Sequence, residues 1–373
     1  MSTPVINAIN NVNQTSLETV FAAVAADPTA RDNLSQSNQN IDSVSTNVGV
    51  IESLNNNEDA ILRLLCRREG RDPANFADLA AVASDVSLIQ DLSVRESTTD
   101  IITNASKANT AISADDRATR EMMCHPAGLD ATTFVDVADV ASDNVAMTTI
   151  AADAQASRAM ASVTLAMQEV ATSLTAMQEV ATSQTAMQAV AVSQAAMPEL
   201  VASQTAMQEI AASQTAMQEI AASQTAMQEV AGSQTAMQEV AASQTAMQEI
   251  APSQIAMEEV ASSQLALDEV GNNSTVQNTV YNNNTAISAL NSSPLVESRT
   301  DSTKEQRTET YKNDRVILLA QNPGASGNRS NQPQFSATDD NFPHTADVIG
   351  RGTNDAGNAN PTNHNATYID ISG

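Results

Sequence analysis

The hydrophobic positions of this chain recur with a ten-residue period. From Ala161 to Val270, eleven consecutive units carry the consensus A-A-S-Q-T-A-M-Q-E-V/I. Methionine takes the seventh place in ten of them, at Met167, Met177, Met187, Met197, Met207, Met217, Met227, Met237, Met247 and Met257, and Leu267 takes it in the last. Three residues further on stand Val170, Val180, Val190, Leu200, Ile210, Ile220, Val230, Val240, Ile250, Val260 and Val270. Weaker copies flank the array at Ala146 and Asn282. Ala, Met, Gln and Glu favour helix, but the period does not. At about 100° per residue, ten residues fall roughly 80° short of three full turns, so an apolar stripe would circle a continuous helix. Each unit must therefore contain a break.

The exceptional units suggest where it lies. Pro198 follows Met197, and Pro252 and Gly232 stand just before Ser-Gln. If Thr caps a short helix and Gln at its third position completes a capping box, Pro198 falls in the first turn and the other two fall beyond the last. This spacing predicts seven helical residues followed by three extended ones, Ala-Ser-Gln. One such helix is unstable alone, so units must stack on copies of themselves, along one chain as a solenoid or across chains as a fibre. The reading favoured here is a parallel homotrimer, a coiled-coil-like rod whose core layers are Met167/Val170, Met177/Val180, Met187/Val190, Met207/Ile210, Met217/Ile220, Met227/Val230, Met237/Val240, Met247/Ile250 and Met257/Val260. Burial of one Met and one Val or Ile per unit is worth roughly 3–5 kcal/mol before ordering costs.

A longer repeat lies upstream. Cys66 to Asp85 matches Cys124 to Asp143 at a constant offset of 58 residues, preserving Gly70/Gly128, Asp72/Asp130, Phe76/Phe134 and Asp78/Asp136. Each copy reads as an apolar helix closed at the glycine, then a second helix opened by Asp72 or Asp130. The two cysteines occupy equivalent places and read as small buried hydrophobes.

Composition narrows the class. Of 373 residues 42% are hydrophobic but only 2% aromatic, which suits a narrow seam better than a thick globular core. The formal charge of −27 opposes binding to nucleic acid. It is compatible with adaptation to high salt and equally with drift in a repetitive sequence. No apolar run reaches the length of a membrane span, and the first residues lack the pattern of a secretion signal. Two cysteines and three histidines complete neither a disulfide framework nor a zinc site, and no catalytic motif appears; no enzyme activity and no cofactor are expected. The Met column could also serve as a thioether metal ladder, but core filling is the simpler reading.

After Gly271 the sequence turns Asn-rich, then charged, then Gly- and Pro-rich with strand-like runs at Val316–Ala320 and Ala366–Ile371. Asp339, Asp340, His344, Asp347, Asp355, His364 and Asp370 are candidate metal or saccharide contacts there, with ordinary loop polarity preferred. The expected organisation is an N-terminal helical segment (1–50), the duplicated helical module (51–145), the decapeptide shaft (146–271), a polar neck (272–314) and a small β-rich terminal domain (315–373).

The module from Gly70 to Ala83, its copy from Gly128 to Ala141, and the array that follows resemble the fibre proteins of tailed viruses of bacteria and archaea. In that family a G-x-D-x-x-x-F-x-D-x-A-x-V-A module leads into tandem A-V-A-x-S-x-T-A-M units. The matching stretches cover less than half of the chain. The resemblance implies a virion structural protein, a homotrimeric tail fibre or related appendage assembled in the host cytoplasm. Its implied partners are its own copies, other tail or baseplate proteins and a host surface receptor, with neither nucleic acid nor membrane insertion. The alternatives left open are a cellular surface stalk or adhesin and a solenoid binding module.

Overall fold

A computed structural model of the protein describes residues 14–271, 279–280 and 283–293, and four strands at 298–301, 315–321, 345–347 and 364–370. The described residues are mainly α-helical. The chain divides into two compact units, Met1–Glu209 and Ile210–Gly373.

Within the first unit, most of the short helices stack on the one three places later, whereas Asn38–Ser45 lies against Glu96–Asn104. Gln14–Ala26 lies against Val48–Asn55, Pro28–Ser35 against Glu58–Arg68, Val86–Ser93 against Asp116–Cys124, Asn144–Ala152 against Leu174–Thr182, and Ala154–Ala161 against Gln184–Ala191. The second unit repeats the rule, with Gln214–Ala222 against Gln244–Ile250, Gln224–Gly232 against Gln254–Ser262 and Gln234–Ala242 against Gln264–Gly271. Three helices thus make one turn of a coil.

Each regular unit is nine helical residues and a one-residue corner. Ser183 and Ser223 hold extended backbone (φ/ψ −93/113 and −104/118), while their side chains accept from the N–H of Ala186 and Ala226. The seven-plus-three division with a Thr cap is therefore corrected. Serine is the cap, Gln and Thr are already helical, and one extended residue suffices because the hydroxyl replaces the backbone partner that the turn removes. Pro198 does fall in a first turn, and Pro252 just beyond Gln244–Ile250, but Gly232 is the last residue of its helix.

The same corner rule begins far upstream of the evident array. Asp27, Asn47, Asp85, Asp115, Asp143 and Asp153 each cap a helix through the side chain. At the equivalent corners Ala105 and Val163 no side-chain cap exists, and a neighbouring turn supplies it. Asn55 Oδ1 accepts from Lys107 N–H at 3.1 Å, and Asn109 Oδ1 from Thr164 N–H at 3.2 Å.

The duplicated module replaces part of this regularity by a loop. The helices Glu58–Arg68 and Asp116–Cys124 lead into Schellman closures. Arg71 N–H reaches the Cys66 carbonyl at 2.8 Å and Leu129 N–H the Cys124 carbonyl at 3.0 Å. Gly70 and Gly128 adopt φ +68° and +72°, the left-handed geometry that closure requires. Asp72 and Asp130 then cap only three-residue 3₁₀ turns, and the helices that follow, Leu79–Ser84 and Val137–Ser142, are opened by Asp78 and Asp136. The expected opening at Asp72 and Asp130 is corrected accordingly: Phe76 and Phe134, extended at the end of each turn, interrupt the helix.

The strands Ser298–Asp301 (β1), Arg315–Gln321 (β2), Thr345–Asp347 (β3) and His364–Asp370 (β4) pair antiparallel in the order β1-β4-β2-β3. Most of the neck and of the expected β-rich terminal domain lies outside the described residues.

Candidate functional site

The residues assigned to the interchain seam are buried inside a single chain. In the first unit Met167, Val170, Met177, Val180, Met187, Val190 and Met207 are 0% exposed. In the second the same is true of Ile210, Met217, Ile220, Met227, Val230, Met237, Val240, Met247, Ile250, Met257 and Val260. No surface of these side chains is left for a sister chain, so the three-chain core is corrected to an intrachain one. The reason is geometric: a corner in every unit turns the chain, and three turned helices enclose the seam by themselves. Leu200 and Leu267 occupy the same interior.

The corner serine does more than cap. Its hydroxyl donates to a backbone carbonyl 32 residues earlier: Ser173 to Ala141 at 2.6 Å, Ser193 to Ala161, Ser203 to Ala171, Ser253 to Ala221 and Ser263 to Ala231 at 2.5 Å, with Ser183–Ala151 and Ser243–Ala211 of the same kind. Those alanines lie at helix C-termini, where carbonyls lack an intrahelical donor. One hydroxyl thus satisfies an N–H at the start of its own helix and a carbonyl at the end of the helix one coil turn before.

Outside, the array solvates its glutamates with amides. Gln214 Nε2 donates to Glu249 at 2.8 Å, Gln224 and Gln228 to Glu259 at 3.1 and 3.3 Å, and Gln238 to Glu269 at 3.3 Å. The sequence contains no Lys or Arg between Arg158 and Arg299.

The module uses ion pairs instead. Arg31 and Arg63 converge on Asp59 at 2.9 and 2.8 Å; burial alone would raise that carboxyl, but the two guanidinium hydrogen bonds hold it below its usual range. Arg68 ties Asp42 at 2.7 Å, and Arg158 reaches Glu96 at 2.5 Å. Burial dominates at Glu69, whose side chain is 3% exposed: its carboxyl is raised although Arg95 donates to it at 2.6 Å. The second loop is fastened by Arg120, whose Nη1 donates to the Ala131 and Phe134 carbonyls at 2.7 Å each. Cys66 and Cys124 are free and buried, and burial pushes both thiols up to about 12. They are packing residues, poor nucleophiles by protonation state.

Beside the first loop lies an open depression of about 650 Å³, lined by Asn75, Phe76, Ser84, Asp85, Ser87 and Arg117 among others. Among the described residues no group of three or more His, Cys, Asp or Glu is arranged to hold a metal ion, and no helix is long and apolar enough to cross a membrane. Of the candidate contacts near the C-terminus, Asp347, His364 and Asp370 lie on strands, but no side chain of that set is among those described.

The chain matches no family model and no curated protein.

The sequence missed the serine latch, the caps supplied by neighbouring turns and the depression. Serine at the third place of nearly every unit was the available signal for the first. The recurrence of Asp, Asn or Ser at 27, 37, 47 and 57, and again 58 residues on at 85 and 115, was the signal for the long reach of the corner rule.

Proposed function

We propose that the protein is a structural component of a virus particle, a tail fibre or related appendage that supports host attachment or connects other virion proteins. The module-then-array order supports this reading through its likeness to tail fibres. The observation that carries it is the serine-latched, fully buried seam, which lets one chain build a long repetitive scaffold with a polar exterior. Its partners on this reading are other tail or baseplate proteins and a receptor on the host surface. Density-gradient particles analysed by mass spectrometry test it. Peptides of this chain should band with the infectious peak in fixed ratio to other tail proteins, and a peak without them removes the reading.

A second reading, a solenoid binding module, is favoured by the intrachain closure of the coil, since such coils commonly act as single-chain docking surfaces. Sedimentation of the full chain bears on both: a monomer is expected, because the seam needs no second copy.

A further inference from the structure

Arg117 stands apart from the other Lys and Arg side chains among the described residues. Arg31, Arg63, Arg67, Arg68, Arg71, Arg95, Arg120 and Arg158 all pair with carboxylates, and Lys107 donates to the Asn56 carbonyl. Arg117 is exposed and has no hydrogen-bond or ionic partner among the described residues. Its chain neighbours Asp115 and Asp116, and Asp85 of the same depression, each accept from other groups. Asp115 caps Ala118 N–H, Asp116 accepts from Arg120 Nε at 2.8 Å and from Val137 N–H at 3.1 Å, and Asp85 caps Leu88 N–H.

The guanidinium borders the depression beside the first loop, with the half-buried Phe76 and the side chain of Asn75. A free fork of N–H donors matches a carboxylate in geometry as well as charge, and an aromatic wall beside it accepts an aliphatic neighbour. The geometry points to a docking site for an acidic peptide segment of a partner protein. One carboxylate seats on Arg117, and an adjacent apolar side chain rests on Phe76. Charge complementarity at Arg117, the one Lys or Arg without a partner among the described residues, selects this occupant. The second module copy supplies an internal contrast: the 58-residue offset puts Thr175 where Arg117 stands and Val145 where Ser87 stands, so the sibling place lacks the cation.

The test is fluorescence anisotropy of a labelled (Glu-Leu)₃ peptide with the full chain, alongside a (Gln-Leu)₃ peptide. The wild type should bind the acidic peptide and discriminate against the neutral one by about tenfold, the scale of one charge-assisted hydrogen-bonded pair. Arg117→Gln should remove that discrimination with an unchanged melting temperature, since this side chain supports nothing else. Thr175→Arg should add a second equivalent of binding. Equal affinity of wild type and Arg117→Gln for the acidic peptide overturns the proposal, as does equal binding of the two peptides. Concentration-dependent self-association that Arg117→Gln abolishes, without peptide binding, would assign the place to a second copy and likewise overturn it.

Discussion

Between Asp27 and Asp143 the coil is tied across its turns largely by arginine; between Thr164 and Gly271 the sequence has no arginine or lysine, and serine does the tying. Arg31–Asp59 and Arg68–Asp42 join particular helices of that first region. The array joins any helix to the one a turn away through the same Ser–Ala pair. The comparison separates two jobs. The enclosed seam and the capped corner make the coil, and the surface pairing decides how specific each position is. The exposed ion pairs contribute little individually, so the module's pairs fix which helix sits beside which loop more than they fix stability.

Core substitutions should produce the largest effect and show that the seam is shared by both regions. Met217→Ala in the array should lose about 2–5 kcal/mol, read by urea denaturation followed by circular dichroism, because the three-sided interior has little room to collapse. A loss under 1 kcal/mol would mean that the seam is not close-packed.

Next comes the latch, which recurs through the array. Ser253→Ala removes the donor to the Ala221 carbonyl and the cap on Ala256 N–H together, and should cost about 1–3 kcal/mol. Ser253→Asp keeps the cap without the donor and should recover part of that loss. Full recovery would show that capping alone matters.

The third test uses one substitution with opposite signs. Gly128→Ala meets a left-handed backbone at φ +72° and should destabilise by about 1–2 kcal/mol although nothing lies near the added carbon. Gly232→Ala, at the end of an array helix with open space around it, should stabilise by up to about 1 kcal/mol. Thermal melts of the two variants against wild type check both signs.

The smallest effect is a pH dependence confined to the module. Glu69 is raised from an ordinary value of 4.5 by burial, so its protonated form fits the fold better than its charged form. Its contribution favours folding as pH falls through the raised value and is complete below the ordinary one. Glu69→Gln should flatten that part of the melting profile, which runs upward in pH from the ordinary glutamate range. An unchanged profile would place the titration elsewhere.

Much of this was legible in the sequence for a physical reason. Periodicity reports burial, and the Met and Val/Ile positions are indeed interior. A ten-residue period cannot be a continuous helix, and the break is present in every unit. What periodicity could not report is whose surface covers the seam, because a stripe buried by sister chains and one buried by the chain's own turns read alike. The corner was misplaced for a related reason. Thr and Ser are both capping residues, and the choice between them turned on a carbonyl 32 residues away, beyond any local rule. Gly70 and Gly128 were read correctly because a left-handed closure is local. Arg117 stood out only once the partners of the other described arginines were known.

The Ser–Ala latch makes the array indifferent to its own copy number. Every unit after the first, where Val163 stands at the corner, carries both the hydroxyl that reaches back and the carbonyl that will later be reached, so a whole unit gained or lost through replication slippage leaves each remaining hydroxyl facing an equivalent acceptor. The arginine-tied region has no such freedom, since Arg68 is matched to particular side chains, Asp42 and Ser97, that do not recur at the unit spacing. Length can drift on one side of this molecule while the other keeps its pattern fixed.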